Sequence, residues 1–338
     1  MEHSPLNETE SLSGTFSSGQ IAAEETIKKS SGFSLFMDLL SGARVPDNLW
    51  RDRMFRVKYA VRTLLHPLDT LKVLNKMASE PVWHEAFSVQ TKLPSKIHKP
   101  YLYLGLPSAG RADALVDHYE FVRNLENVQM RNTFLSEKGN TVTQFTGKDG
   151  EAFSVVLGSI GKSEREGEAN MFLYMEDTLL AALTFSIVQR PEGPTLIVGG
   201  FQGAHRSTPH DVIKQATKSC YGLFPKRLLL ETLQRVAAET GVQRILAVSD
   251  TGHVFRSLRY RHRKKNVFVA SYNEFWDSIS ATPYSSALYD VPLELPRKPM
   301  EEIASKKRSE YRKRYTLLDE LHESTATLLK SGPHATAQ

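Results

Sequence analysis

Polar side chains with catalytic potential follow two of the strands that the sequence predicts, at the points where those strands end. One group comes directly after a strand predicted over Thr195–Phe201, and the other follows a strand predicted over Ile245–Val248. Ligands of α/β proteins bind beyond the carboxyl ends of neighbouring strands, so we expect the two groups to meet and to supply an acid, a base and an anion contact. A tight structural turn at each place is the alternative interpretation. The candidate catalytic residues are Gln202, His205, Arg206, Asp250 and His253.

Two glycines, Gly199 and Gly200, lie where the first of these strands approaches its turn. Glycines at such a place permit the close approach of another backbone or a ligand, and N–H groups at the next helix start could hold a phosphate beside Arg206. The sequence contains no phosphate-loop, zinc-protease, EF-hand, nucleophile-elbow or dinucleotide-binding motif. Its histidines form no i, i+4 pair, so we predict no metal site and no resident cofactor.

Two runs of basic residues could bind an anionic partner. Acidic lipid headgroups, a phosphorylated saccharide and nucleic-acid phosphates are all possible partners, and a solvated surface is the alternative. The second run lies on a predicted C-terminal helix, whose apolar face, with Leu318 and Leu321, should dock on the protein and leave the remaining charges exposed. The candidate residues are Arg259, Arg261, Arg263, Lys264 and Lys265 in the first run, and Lys306, Lys307, Arg308, Arg312, Lys313 and Arg314 in the second.

The composition is that of an ordinary globular protein, because 40% of the 338 residues are hydrophobic, 24% are charged and the net charge is +5. These values exclude a collagen, a coiled coil and a wholly disordered chain. A single cysteine excludes an intrachain disulfide and a cysteine-based zinc site, and it suits a reducing compartment. The sequence shows neither a signal-peptide pattern nor an apolar stretch of about 18 residues. We therefore expect a cytoplasmic protein without a transmembrane segment, and peripheral contact with the inner membrane stays open.

Four parts are expected along the chain. Residues 1–32 are rich in Ser, Thr, Gly and Glu, which predicts a disordered tail. Apolar residues at helical spacing predict a helical region over residues 33–99, whose basic helix Arg51–Arg62 could lie on a membrane but is expected to pack on its own core. Residues 100–297 are predicted to form a mixed α/β core with a largely antiparallel sheet. Residues 298–338 are predicted to form a long basic helix and a tail.

The central sheet is predicted from short runs of apolar and β-branched residues that are separated by turn signals. After Phe201, two predicted helices, Pro209–Tyr221 and Pro225–Thr240, separate the strands, so the pattern changes from an antiparallel meander to an α/β arrangement. The predicted strands are Tyr101–Gly105, Thr141–Thr146, Ala152–Leu157, Asn170–Met175, Leu179–Val188, Thr195–Phe201, Ile245–Val248 and Val267–Ala270.

Eight short motifs, spread from residue 183 to residue 315, together identify a family resemblance. The motifs are Leu183–Ile187, Gly199–Gly203, Ala216–Lys218, Gly222–Leu229, Ile245–Ser249, His253–Arg256, Tyr272–Trp276 and Lys306–Tyr315. Together they resemble the VirK family of Gram-negative bacteria, a family with a domain-of-unknown-function label, and the resemblance extends over residues 45–322. It implies a factor associated with virulence, with surface-protein display at the cell envelope and with tolerance of antimicrobial peptides. This envelope association is the reason to expect an anionic membrane surface or a phosphorylated envelope component, ahead of nucleic acid, as the partner of the basic runs. The resemblance implies no catalytic residue.

The order of the predicted elements is also similar, more weakly, to that of acyl-CoA N-acyltransferases, whose turn after the fourth strand binds the cofactor pyrophosphate. The turn Gln202–Ser207 departs from their (Gln/Arg)-x-x-Gly-x-(Gly/Ala) pattern, and two helices rather than one precede the next strand. An acyl- or aminoacyl-transferase that uses acyl-CoA is therefore the alternative function. Separation of the strands Thr195–Phe201 and Ile245–Val248 would favour it, whereas closed pairing there would favour the VirK-like factor.

Overall fold

An eight-stranded β-sheet forms the centre of the computed structural model, which describes residues 31–257 and 271–331. The strand order is β1-β2-β3-β4-β5-β6-β8-β7, and every neighbouring pair is antiparallel except β5 and β6, which are parallel. This arrangement confirms the predicted mixed α/β class with a largely antiparallel sheet. The strands are β1 (Asn140–Thr146), β2 (Ala152–Gly158), β3 (Ala169–Met175), β4 (Thr178–Arg190), β5 (Gly193–Gly203), β6 (Arg244–Val248), β7 (Thr282–Pro283) and β8 (Leu288–Val291).

The strands β1 to β6 were each predicted, with ends that differ by no more than two residues. The prediction of a strand over Tyr101–Gly105 is wrong, because Leu102 has a φ of 63° and the segment forms only an isolated bridge between Tyr101 and Tyr103. The strand predicted over Val267–Ala270 lies outside the described residues. Strands β7 and β8 were missed because such short segments carry too little alternation to be recognised.

A helical region precedes the sheet, as predicted. Its boundaries follow local chemistry: Asp47 and Asp52 accept backbone N–H groups at the starts of two helices, and Pro67 and Pro81 occupy first-turn positions that need no donor. The elements are α1 (Gly32–Ser41), α2 (Asn48–Arg51), α3 (Arg53–Leu65), α4 (Pro67–Ser79), α5 (Pro81–Val89) and a 3₁₀ turn (Leu93–His98).

The remaining helices surround the sheet. Helix α6 packs against β4, while α9 packs against β3, β4, β5 and α11. Consecutive residues of β3, β4 and β5 are buried, and since neighbouring side chains of a strand point to opposite faces, both faces of the sheet are covered. The elements are α6 (Ser108–Arg123), α7 (Val128–Leu135), α8 (His210–Ser219), α9 (Pro225–Glu239), α10 (Tyr272–Ser278), α11 (Ser305–Ser331) and the 3₁₀ turns Val254–Arg256 and Met300–Glu302.

Helix α11 lies along β1, the outermost strand on one side of the sheet. The Gln144 N–H donates to Ser324 Oγ at 3.0 Å, and the Thr143 hydroxyl donates to the Leu321 carbonyl at 3.0 Å. Leu318 and Leu321, which were predicted to dock, are buried. An uncovered strand edge invites pairing with another chain, so α11 protects this edge while it completes the core.

The pair of strands β5 and β6 determines the geometry of the candidate site. Their parallel pairing joins Thr195–Val198 to Arg244–Ala247. Beyond it, β5 continues to Gly203 alongside β4, with a register irregularity at Gly199, whereas β6 ends at Val248. The strand β5 therefore extends five residues beyond Val198, the last residue that it pairs with β6, and the space beyond the end of β6 lies where α/β folds place ligands.

Candidate functional site

The predicted catalytic residues divide between the buried end of β6 and an exposed turn after β5. The Tyr272 N–H donates to Asp250 Oδ1 at 2.7 Å, and the Tyr272 ring stacks on His253 with centroids 5.4 Å apart. The structure thus links Asp250 and His253 through one tyrosine. The other candidates, Gln202, His205 and Arg206, are exposed, and His205 Nδ1 hydrogen-bonds to Ser207 Oγ. That these three join Asp250 in one catalytic group stays a prediction.

A buried cluster of His253, Glu166 and Tyr272 lies beside β5, beyond the end of β6. His253 Nε2 lies 3.1 Å from Glu166 Oε1, while His253 Nδ1 accepts the Phe255 N–H. Because Nδ1 is an acceptor, we assign the ring proton to Nε2, which donates to Glu166. The Tyr272 hydroxyl accepts the Phe201 N–H of β5, and burial raises the pKa of Tyr272. Both ring nitrogens of His253 are thus engaged in hydrogen bonds, so this histidine stabilises the cluster.

The same cluster explains the two glycines of β5. A Cβ atom on Gly199 would lie 1.9 Å from the Glu166 carbonyl oxygen, and one on Gly200 would lie 2.0 Å from Glu166 Oε2. Only glycine fits at both positions. The close approach that the sequence indicated is therefore made by Glu166 of the same chain, and the space beside these glycines is not available to a phosphate.

An apolar pocket with a volume of about 530 Å³ opens next to this cluster, at the end of β5. It lies among the turn after β5, helix α8, the start of α9 and helix α10. Its walls are largely apolar, and a pocket of this size and character suits a small molecule or an acyl chain. The lining residues are Leu180, Gly203, Ala204, Ile213, Phe224, Pro225, Lys226, Arg227, Phe275, Ser278 and Ile279.

Lys226 supplies an amine to this pocket from the first turn of α9. The Lys226 Nζ lies over three aromatic rings, 5.2 Å from the Phe201 centroid, 5.4 Å from that of Phe275 and 5.9 Å from that of Tyr272. Desolvation lowers the pKa of Lys226, and the charge of Asp250 opposes this shift only in part. Among the residues that the structure describes, Lys226 makes no ion pair or hydrogen bond. A desolvated amine beside an apolar cavity can act as a base or hold a polar ligand group.

A second buried polar cluster joins the helical region to the sheet. The side chains of Lys96 and Glu168 are fully buried and form an ion pair at 2.6 Å. The hydroxyls of Tyr101 and Tyr119 also donate to the Glu168 carboxylate, at 2.8 and 2.6 Å. Burial by itself would raise the pKa of Glu168, but the Lys96 ammonium and these donors lower it on balance. Since no surface of either charge reaches solvent, this cluster is structural.

Neither the cysteine nor the histidines form a further reactive site in the described part of the chain. Cys220 is buried, and burial raises its pKa to about 12, so its thiol is not activated as a nucleophile. Within residues 31–257 and 271–331, no three His, Cys, Asp or Glu side chains are arranged to hold a metal ion.

Of the two basic runs, the structure describes only the second. The first run, Arg259 to Lys265, lies outside the described residues. In the second run, Arg314 donates from Nε and Nη2 to the Tyr221 carbonyl at 2.8 and 2.6 Å, and Arg308 donates to the Ile303 carbonyl at 2.9 Å. These two half-buried guanidinium groups therefore stabilise the fold instead of forming part of a free surface. The exposed members are Lys306, Lys307, Arg312 and Lys313, and their contact with an anionic partner stays a prediction.

The residues at the centre of the site, Lys226, Glu166 and Tyr272, were absent from the sequence-based candidates. Lys226 carries a weak signal, since a cation in the first turn of a helix is unfavourable beside the positive end of the helix dipole. Tyr272 begins a short helix that the sequence interpretation did not include. Glu166 lies in a charged loop without any local signal, because its burial depends on the approach of β5.

Comparison with protein families gives a match over most of the chain. Residues 48–327 match the family described as "Protein of unknown function (DUF535)". The chain belongs to this family. A member from Escherichia coli (strain K12), "Uncharacterized protein YbjX", is 35% identical over 301 residues, which span 89% of this chain and 91% of that protein. An uncharacterised protein of Haemophilus influenzae is 31% identical over 126 residues, which span 37% of this chain and 41% of that protein.

Among solved structures, a mutant of a cAMP-binding acyltransferase from Mycobacterium smegmatis aligns with this DUF535 chain. The alignment covers 62% of this chain and 64% of that one, at 11% sequence identity and a TM-score of 0.26. A score of this size carries no argument about function. Among the described residues of the DUF535 chain, no helix has both the length and the apolar character to span a bilayer.

Proposed function

We propose that this protein is an acyl- or aminoacyl-transferase that binds the acyl group of a thioester donor in the Lys226 pocket. The observation that carries the proposal is the apolar pocket itself, which opens at the carboxyl end of β5 and contains one desolvated amine. The apolar wall suits a hydrocarbon chain, and the Lys226 amine suits the carbonyl to which that chain is attached.

In the proposed reaction, an amine or hydroxyl group of the acceptor attacks the carbonyl carbon of the donor thioester. The new C–N or C–O bond forms, the C–S bond breaks, and the carrier leaves as a thiol. Lys226 takes the proton from the attacking group and returns it to the departing sulfur. Its lowered pKa supports this role, since a general base works best when its pKa is near the operating pH.

The carrier of the acyl group need not be coenzyme A. The turn Gln202–Ser207 departs from the pyrophosphate-binding pattern of acyl-CoA N-acyltransferases, whereas the apolar pocket does not depend on that turn. We therefore expect an acyl-pantetheine to bind about as tightly as the matching acyl-CoA. The resemblance to the VirK family supports an acceptor among envelope components, in the context of virulence, surface-protein display and antimicrobial-peptide tolerance.

The second candidate function is a non-enzymatic, envelope-associated factor of VirK type that contacts an anionic surface. It is supported by the exposed basic residues Lys306, Lys307, Arg312 and Lys313 of α11. Such a factor needs no acyl donor. Binding of a donor in the pocket therefore separates the two candidates.

The test is isothermal titration of the full chain with decanoyl-CoA and decanoyl-pantetheine. Ala204→Trp should fill the pocket and weaken binding of both thioesters roughly tenfold or more, while Ser207→Trp, in the same exposed turn but outside the pocket lining, should not. Lys226→Met should retain binding but lose acyl transfer to ethanolamine, whereas Lys214→Met, which changes an exposed lysine of α8, should retain both. Equal binding by wild type and Ala204→Trp, or no binding of either thioester, would contradict the proposal.

A further inference from the structure

Helix α3 is held in one orientation by a buried face. Phe55, Tyr59 and Thr63 lie at intervals of four residues and are all buried. The Trp50 ring contacts both Phe55 and Tyr59 edge-on, with centroids 5.0 Å apart in each case, and Tyr59 also contacts His98 at 5.4 Å. Because these contacts fix the rotation of the helix, the direction of its other faces is determined.

The face of α3 that points away from these contacts is apolar and exposed. At about 100° per residue, Met54, Val57, Val61, Leu64 and Leu65 fall on one side of the helix, and Leu68 follows at the start of α4. These side chains are between 52% and 80% exposed. A helix on the surface of a globular protein normally turns its polar side to solvent. Helix α3 instead exposes a second apolar face, in addition to the face that it buries. We call these six residues the α3 stripe.

The charges of α3 that border the stripe have one sign, while Asp69 follows Leu68 in the first turn of α4. Arg53 lies along one border of the stripe, and Lys58 and Arg62 lie along the other. The helix from Arg53 to Leu65 contains four basic residues and no acidic one. A second copy of this chain would bring like charges together, whereas an anionic bilayer offers hydrocarbon for the stripe and negative headgroups for its borders.

We propose that the α3 stripe is a membrane-docking surface that inserts into the headgroup region of an anionic bilayer. The combination of exposed Leu, Val and Met with flanking Arg and Lys is that of helices that lie in the plane of the interface. Basic residues near an anionic leaflet each add attraction that salt screens. The inference goes beyond the proposed acyl transfer, and it assigns membrane contact to a helix for which the sequence alone favoured packing on the core over a membrane surface.

The experiment is co-sedimentation of the full chain with vesicles of phosphatidylcholine, with and without phosphatidylglycerol, at low and physiological salt. Wild type should partition onto the anionic vesicles and much less onto the neutral ones. The variant Val61→Ser/Leu64→Ser/Leu65→Ser should lose roughly tenfold in partitioning, which corresponds to about 1.4 kcal/mol. Its thermal unfolding should be unchanged because the replaced side chains are exposed.

Two control variants identify the surface. Val128→Ser/Leu293→Ser removes exposed apolar side chains elsewhere and should bind like wild type. Lys306→Gln/Lys307→Gln/Arg312→Gln/Lys313→Gln tests the basic run of α11 and should weaken binding less than the stripe variant does. In addition, Leu64→Trp should show a blue-shifted emission with anionic vesicles, and brominated lipid should quench it.

Three outcomes would overturn the inference. The first is equal recovery of wild type with neutral and anionic vesicles, and the second is unchanged binding by the stripe variant. The third is a stripe variant that changes the oligomeric mass, measured by analytical ultracentrifugation, but does not change vesicle binding. That result would mean that the stripe contacts a second copy of the chain. None of these readouts depends on acyl transfer, so either proposal can fail without the other.

Discussion

At the scale of single residues, the environment of Lys226 is the most unusual in the described part of the chain. Three aromatic rings surround its amine, and Asp250 acts on it only through its charge. Ring faces attract a cation, whereas removal of the amine from water disfavours its charged form and lowers the pKa of Lys226. The charged form of a lysine in such surroundings destabilises the folded protein. Residues with this property are commonly found where the side chain has a function.

Replacing Lys226 with methionine should leave the fold at least as stable as wild type at neutral pH. The pKa of Lys226 is lowered in the folded state, so the unfolded chain binds more protons between that lowered pKa and 10.5. The free energy of unfolding of wild type should therefore rise with pH across this window, and Lys226→Met should abolish that part of the rise. Chemical denaturation at several pH values measures both effects.

The control for this prediction is Lys214→Met, since the Lys214 side chain is 66% exposed. It should leave the pH dependence of unfolding as in wild type. Destabilisation of Lys226→Met by more than about 1 kcal/mol at neutral pH would mean that the ammonium stabilises the fold through the rings, and would remove the reason for a role as a base.

At the scale of elements, the Lys96–Glu168 pair fastens the 3₁₀ turn Leu93–His98 to the start of β3. The Gln90 amide, at the end of α5, donates to Ser159 Oγ at 2.6 Å and to the Glu168 carbonyl at 3.1 Å. The cluster therefore unites the helical region with the sheet through groups that are all shielded from water. Such a cluster is costly to break, because a single remaining charge would have no partner.

The single variants Lys96→Met and Glu168→Gln should each destabilise the protein by about 3–5 kcal/mol. The double variant should cost much less than the sum of the two, because no uncompensated charge remains. A double-mutant cycle by urea denaturation measures the coupling energy between Lys96 and Glu168. The exposed pair Lys72 and Asp113 is the control, and its coupling energy should be less than about 1 kcal/mol. Additive effects of Lys96→Met and Glu168→Gln would show that the two charges are not coupled.

At the scale of the whole molecule, the sequence predicted the sheet better than the site. The strands β1 to β6 carry long apolar or alternating runs, and proline or Asp marks several helix starts, so local rules were sufficient there. The segment Tyr101–Gly105 has the same local pattern but turns at Leu102, since the Leu102 N–H donates to the Arg165 carbonyl instead of joining the sheet.

The site could be predicted only in part because its members are brought together by tertiary contacts. Asp250 and His253 were found because they follow a buried strand, which is a local signal. The environment of Lys226 depends on Phe201 and Phe275, which lie on a different strand and helix. Similarly, periodicity indicated an apolar stripe on α3 that includes Met54, Val57 and Val61, and this stripe was expected to pack on the core. That expectation is wrong, because the helix turns Phe55 and Tyr59 towards Trp50 and leaves the stripe exposed.

The central claim, that the Lys226 pocket receives an acyl chain, is tested most directly by photo-crosslinking. The full chain is irradiated with a fatty acid that carries a diazirine near the end of its chain, and the adducts are located by mass spectrometry. We predict adducts at residues that line the pocket, such as Ile213, Phe224 and Ser278, and their loss in Ala204→Trp but not in Ser207→Trp. Adducts confined to the α3 stripe, or pocket adducts that persist in Ala204→Trp, would contradict the account.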